Sequence, residues 1–366
     1  MKVTWNIATI LAGMALTVVS ASCSMIDEDR SDCGPNYDIY YELRLVTNMT
    51  TELQTELNTE LSTELTTETD IKLASELRTH LGNIFTDFAH DVNLSFYDTQ
   101  GDSIRLHHDE HIMDANQASY ALNLPMRQYM HLAAANVVDN DIVKIDNDEY
   151  CHRAMLHEID GDTIESHNTG LFTARFPMEV LSNVNQNFNV HLYMANCASA
   201  LIIDPRDVET GGDIRVFSTG FATGFNICDS AFLYSDKPPV VRASKLNIDS
   251  IDVQAFCSVT FPSMNPADTD STTTARGTTR TVIETTEPFI SEDDENTLWR
   301  IIIFVPLPDG TTTRTVLNIK KPLKAGQLKI LRCYLKGKGV VETKSPEVGT
   351  SVTFDWKEGL DITGES

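Results

Sequence analysis

Three sets of residues carry chemistry that could serve a specific purpose. The first is one thiol. Residues 7–19 (IATILAGMALTVV) form an apolar core of 13 residues behind Lys2, and the small residues Ser20, Ala21 and Ser22 lead directly to Cys23. A short positive start, an apolar core and small residues predict a signal peptide over 1–22, too short to span a bilayer. A signal peptidase would cut before Cys23, and the Cys23 thiol would carry a diacylglycerol. Acyl chains then hold the protein to a membrane, with roughly 0.8 kcal/mol per buried CH₂. Ser20 stands where such sites usually have Leu, so the other reading is a secreted chain cut near Ala21, with Cys23 free or paired. The second set is His107-His108-Asp109-Glu110-His111. On a helix His107 and His111 would share a face, as zinc chelation can use, but the order is not H-E-x-x-H. The pattern predicts a solvated polar loop, with no metal or cofactor. The third set is the later cysteines, Cys33, Cys151, Cys197, Cys228, Cys257 and Cys333. In an exported chain they permit disulfides in any of 15 pairings, which spacing does not choose between. There is no C-x-x-C, and Cys197, Cys257 and Cys333 sit in apolar strand-like runs where a buried thiol is equally suitable.

The block Gly101-Asp102-Ser103-Ile104 resembles the nucleophile block of GDSL-type esterases. That chemistry needs a His base in an Asp-x-x-His, and none of the eight His after Ser103 has an Asp three residues before it. The same four residues suit a hairpin turn. With no G-x-S-x-G, P-loop or G-x-G-x-x-G, the sequence predicts a protein that is not an enzyme. Its formal charge of −25 and pI of about 4.6 oppose phosphate backbones, so nucleic acid is excluded as a partner. No run of 18 apolar residues offers a transmembrane helix.

The elements that must position anything functional are mostly strands. Residues 38–48 alternate with Ile39, Tyr41, Leu43 and Leu45 on one parity, a half-buried strand. Thr-Glu-Leu then recurs every four residues, with Leu53, Leu57, Leu61 and Leu65, and the stripe continues at Leu73, Leu77, Leu81 and Phe85. A step of four turns about 40° past a full helical turn, so the leucines share one broad face. This predicts a helical insert at about 51–90, broken near 66–70. Thr and repeated Glu at i,i+4 weaken its first half, and a low-complexity loop is the other reading. Residues 91–97 predict a half-buried strand with Val92, Leu94 and Phe96 inward, turning at 98–102 into a hairpin. Further strands are predicted at 117–124, 131–138, 171–176, 188–195, 200–203, 213–217, 251–261, 299–306, 314–319, 329–336 and 348–356. The Thr/Ser-rich stretch 268–286 reads as a long exposed loop. Many short strands with turn signals predict an all-β fold of two sandwiches in tandem. The expected division is a tether at 23–36, a first sandwich at 37–182 and a second at 183–366.

The start Cys23-Ser24-Met25…Asp29-Arg30-Ser31-Asp32-Cys33-Gly34-Pro35, followed by an aromatic strand, resembles the Mfa2/FimB family of Bacteroidetes fimbrial proteins. Phe88-Ala89-His90-Asp91-Val92-Asn93-Leu94-Ser95-Phe96-Tyr97-Asp98 is similar to the family's second strand. Leu132-Ala133-Ala134-Ala135-Asn136 and the terminal strand ending near Trp356-Lys357-Glu358-Gly359 fit the same layout. The segment 50–69 is longer and more repetitive than the family's. The acidic run after Cys23 resembles the surface-export signal of Bacteroidetes lipoproteins. The resemblance implies two transthyretin-like Greek-key sandwiches, a lipid anchor at Cys23 in the outer membrane, and a role as anchor or minor subunit at the base of a fimbrium. It also implies fimbrial structural subunits as partners, joined by β-strand donation. Two other functions are carried alongside it. One is a surface glycan-binding lipoprotein, for which only Trp299 and Trp356 remain as tryptophan platforms once the signal is removed. The other is a secreted hydrolase.

Overall fold

The computed structural model describes residues 36–47, 49–61, 68–86, 89–100, 104–112, 119–138, 140–182, 184–248, 252–263 and 297–353. The fold is all-β, and the described residues form four sheets and two α-helices. The first sheet is built from β1 (Asn36–Val46), β2 (Val92–Asp98), β3 (Arg105–Ile112), β4 (Ser119–Pro125), β5 (Gln128–Ala135), β9 (Phe172–Glu179) and β10 (Gln186–Met194). Its order is β3-β2-β5-β9-β10-β1-β4. A small sheet joins β6 (Val143–Asp146), β7 (Met155–Glu158), β13 (Gly224–Asn226) and β14 (Ala231–Leu233), in the order β14-β13-β7-β6. The five-stranded sheet has β11 (Cys197–Asp204), β16 (Ser244–Leu246), β17 (Gln254–Thr260), β20 (Leu328–Lys336) and β21 (Val340–Thr343), ordered β16-β17-β11-β20-β21. The six-stranded sheet has β8 (Thr163–Glu165), β12 (Arg215–Thr219), β15 (Val240–Arg242), β18 (Trp299–Pro306), β19 (Thr312–Ile319) and β22 (Val348–Thr353), ordered β22-β19-β18-β12-β15-β8.

The alternation of β1 places Ile39, Tyr41 and Leu43 in the core and leaves Tyr40 outside, as its pattern requires. The strand runs parallel to β10 and antiparallel to β4, so it is hydrogen-bonded on both sides. The helical insert forms as α1 (Met49–Leu61) and α2 (Glu68–Ile84). Leu53, Leu57, Leu73, Leu77 and Leu81 are all buried, so the four-residue spacing does give the apolar stripe. That stripe joins the inner face of the first sheet to one face of the five-stranded sheet in one continuous core. On β11, Ala198, Ala200 and Ile202 belong to that core, while Cys197, Leu201 and Ile203 face the six-stranded sheet. The five- and six-stranded sheets close on each other through Leu201, Leu331, Ile301, Ile303 and Leu317, a sandwich of the expected kind.

Two expectations change. β2 is buried on both faces rather than one. Val92, Leu94 and Phe96 enter the main core, but Tyr97 enters a second core that the small sheet and its loops complete. The His107–His111 run is strand, not loop: it forms β3, with His111 opposite Asn93 and Asp109 opposite Ser95, and a register shift at Phe96/Tyr97. Pairing with β2 satisfies the backbone of a segment too polar to signal a strand by itself.

The two halves of the sequence also interleave. β7 pairs with β13, and β8 runs parallel to β15. Cys151 and Cys228 form a disulfide with Cα atoms 5.7 Å apart, bridging 77 residues. β10, which begins just past residue 183, pairs with β1 and β9, so by strand pairing the first sheet runs through Met194.

Candidate functional site

Cys23, the sole expected attachment site, lies outside the described residues, as do Cys33, the acidic run, 101–103, 268–286, Phe354 and Trp356. Among the described residues no group of three His, Cys, Asp or Glu side chains is placed to hold a metal, and no helix is long and apolar enough to cross a membrane. The buried polar groups that do come together serve one another.

His131, fully buried on β5, is the clearest case. Its Nδ1 lies 3.0 Å from the Ser95 carbonyl oxygen, which can only accept, so Nδ1 carries the proton. Nε2 then accepts from the Tyr41 hydroxyl. Phe96 stacks on the ring with centroids 4.3 Å apart. Burial pushes the His131 pKa down to about 3 and the Tyr41 pKa well up, so both stay neutral and tie β1, β2 and β5 together. A second buried pair is His167 Nε2 and Glu158 Oε1, 2.9 Å apart. His167 N donates to the Val259 carbonyl at 2.9 Å, so this pair fastens the end of β7 against β17. In a third cluster Asp91 Oδ1 accepts from Val137 N and Val138 N at 3.0 and 3.1 Å. Asn136, with φ of 65°, takes the left-handed turn conformation that Asn tolerates. Its side chain accepts from His90 N and donates to the Gly170 carbonyl, both at 2.6 Å. This is the Asn that closes the Ala-rich strand singled out in the sequence. Burial raises the Cys197 and Cys257 thiols to about 12, which leaves them protonated and inert.

Strand edges are the other places where a further chain could add. β21 pairs only with Cys333–Lys336, so the first half of β20 has an open side. There α1 takes the place of a strand. Glu56 Oε2 accepts from Ile330 N at 3.0 Å and lies 3.4 Å from Lys329 Nζ, while Asp70 meets Arg332 at 3.4 Å. The weak Thr-Glu-Leu helix is therefore docked, with Leu53 and Leu57 inward and Glu56 on a strand backbone. β22 is hydrogen-bonded to β19 from Val348 to Thr353, with Val348 and Val352 half-buried and Thr350 exposed. Within the described residues the C-terminal strand is thus held by its own sheet. β3 and β4 are the edges of the first sheet.

A cleft of 390 Å³ opens where the outer face of β9 and β10 meets the small sheet. Arg175, His191 and Tyr193 line one wall, and Phe225, Phe232 and Ser230 the other. Tyr193 is 60% exposed, opposite Thr173 in the ladder. No periodicity signals this cleft, because its walls come from strands far apart in the chain.

No known family model and no curated protein matches the sequence. Among solved structures the chain is similar to a candidate adhesin from Bacteroides ovatus, at 10% identity over 93% of this chain and 99% of that one, with a TM-score of 0.48. It is similar to the fimbrial anchor protein Mfa2 from Porphyromonas gingivalis at 10% identity over 88% and 98%, with a TM-score of 0.44. The tip fimbrial protein Mfa3 from the same organism, truncated at its C-terminus, gives 9% identity over 88% and 100% and a TM-score of 0.37.

Proposed function

We propose that the chain is a lipoprotein anchor or minor subunit of a fimbrium, held in the outer membrane through acylated Cys23 and without a catalytic step. The observation that carries this reading is the N-terminal order: an apolar core, small residues, Cys23, an acidic tether, then β1. A load on the tether pulls β1 along its own axis. β1 is hydrogen-bonded to β10 on one side and β4 on the other, so the pull shears two ladders at once instead of peeling one. That geometry suits a protein that holds something under tension. Two sandwich units in tandem, the first reaching to Met194 by its strand pairing, belong to the same proposal.

The proposed partners are fimbrial structural subunits joined by strand addition, in which main-chain hydrogen bonds extend an open sheet edge. β4 is the edge beside β1, on the load-bearing side of the first sheet. The role is that of Mfa2, a fimbrial anchor protein, carried to this chain.

Labelled palmitate tests the anchor. Wild-type cells should incorporate label into this protein and retain it in the outer membrane, and Cys23→Ser should lose both and shed fimbriae into the medium. Equal labelling of the two proteins would defeat the assignment.

A further inference from the structure

The cleft between β9–β10 and the small sheet carries a charge pattern at odds with the rest of the molecule. The chain has 53 acidic residues against 28 basic ones, yet Arg175 and His191 line this cleft and, among the described residues, no carboxylate does. Arg175 is also distinctive among the described arginines. Every other one has a carboxylate, side-chain amide, aromatic ring or further partner. Arg175 has no such partner and is solvent-exposed on the cleft wall. A guanidinium presents a planar fork matched to a carboxylate. In a protein so rich in acids, leaving one unpaired beside a histidine and an exposed tyrosine keeps an anion site open.

The other cleft walls narrow the ligand. Tyr193 offers an exposed ring face at the mouth, and Phe225 and Phe232 pack with ring centroids 4.7 Å apart behind it. Ser230, with φ of 53°, sits at the turn into β14 and brings a hydroxyl to the cleft. An aromatic face, hydroxyl and imidazole groups and one guanidinium suit a ring that is apolar on one side, hydroxylated at its rim and acidic at one corner. The volume falls in the range of small-ligand pockets, about 300–1,000 Å³. An extended acidic peptide fits less well. It needs an open strand edge, but β9 and β10 pair with each other at the cleft, Thr173 with Tyr193 and Phe172 with Met194, and among the described residues the edge strand here, β14, is three residues long.

We propose that this cleft binds the carboxylate-bearing terminal sugar of a glycan, a uronic or sialic acid, with the carboxylate on Arg175 and the ring's apolar face on Tyr193. His191 and Ser230 meet the hydroxyls. The two sugar sources share this chemistry and differ in size and side groups.

Titration calorimetry of the full chain with galacturonic acid, N-acetylneuraminic acid, galactose and a tetraglutamate peptide tests this. At least one acidic sugar should bind, and galactose should bind at least tenfold more weakly. The preference between the two acids identifies the source. Arg175→Ala should weaken acid-sugar binding at least tenfold, Arg175→Lys should weaken it less, and Tyr193→Ala should weaken both acidic and residual neutral binding. Arg175 and Tyr193 are exposed, so the melting temperature of each variant should match wild type. The proposal fails if neither acid binds, if galactose binds as well, if Arg175→Ala is without effect, or if the peptide binds more tightly than both sugars. None of these outcomes bears on acylation of Cys23.

Discussion

β2 and β11 are both covered on their two faces, but by different means. β11 is apolar on both sides but for the buried Ser199: Ala198, Ala200 and Ile202 meet the helices and first sheet, and Cys197, Leu201 and Ile203 meet the six-stranded sheet. β2 is dry on one side only. Its second face buries Asn93 and Ser95, and both are satisfied by hydrogen bonds. Ser95 Oγ donates to Asp109 Oδ1 at 2.8 Å, Asn147 Nδ2 donates to Asn93 Oδ1 at 3.0 Å, and the Tyr97 hydroxyl donates to the Asp148 carbonyl at 3.2 Å. Burial first, then the nearby Asp109 and Asp148, keep the Tyr97 hydroxyl protonated. An apolar–polar alternation means a half-solvated strand only if nothing folds over the polar face. Here the connection between β6 and β7, with Asn147 and Asp148, does so, and the Cys151–Cys228 disulfide pins it. One layer is held by packing, the other by a fastened polar cover.

The comparison breaks most sharply in the dry layer. Leu201→Ala removes a fully buried side chain between two sheets and should cost about 2–5 kcal/mol in urea unfolding, with no recovery from salt or pH. A loss below about 1 kcal/mol would mean that the sandwich repacks freely. Replacing both Cys151 and Cys228 with Ala should cost about 2–4 kcal/mol. Hydrogen exchange should then rise over 143–158 and at Asn93 and Ser95, and stay unchanged over Cys197–Asp204. Equal loosening in both places would erase the distinction between cover and core. The smallest effect is a slope. His131 has a folded pKa of about 3 against about 6.5 when unfolded. The unfolded chain therefore binds a proton that the folded chain refuses. This stability is fully present above about pH 6.5 and is lost as pH falls towards 3, at no more than about 1.4 kcal/mol per pH unit. His131→Gln should flatten this part of the stability profile, while Leu201→Ala should leave its slope intact.

Much of this was legible in the sequence because long strands and stripes announce themselves. The parity of Ile39, Tyr41 and Leu43 and the four-residue leucine step gave β1 and the helices, the alternation at Phe188 gave β10, and the runs from Ala200 onward gave most of the second sandwich. The short strands β6, β7, β8 and β13 to β16 were invisible, since three or four residues hold at most two periods of a strand's alternation. The start of β3 was legible as the hairpin's return strand, but its extension through His107–His111 was not, because those His, Asp and Glu residues carry no apolar alternation and β2 supplies the pairing. The Cys151–Cys228 link could not be chosen among 15 pairings, because it depends on β7 meeting β13 from the other half of the chain. The cleft at Arg175 escaped for the same reason.

The parallel pairing of β1 has a consequence for how the chain acquires its shape. Ile39 lies opposite Gln186, a separation of 186 − 39 = 147 residues, and Ala198 lies opposite Leu328, 130 residues on. A chain threaded N-terminus first across a membrane would therefore expose β1 long before β10 emerges, and β11 long before β20. Pairings this distant in sequence close slowly, and the waiting strands are open to wrong partners. On the proposed export route, folding should depend on holding those strands apart until the second half arrives, and newly translocated chains should be protease-sensitive until β20 has passed.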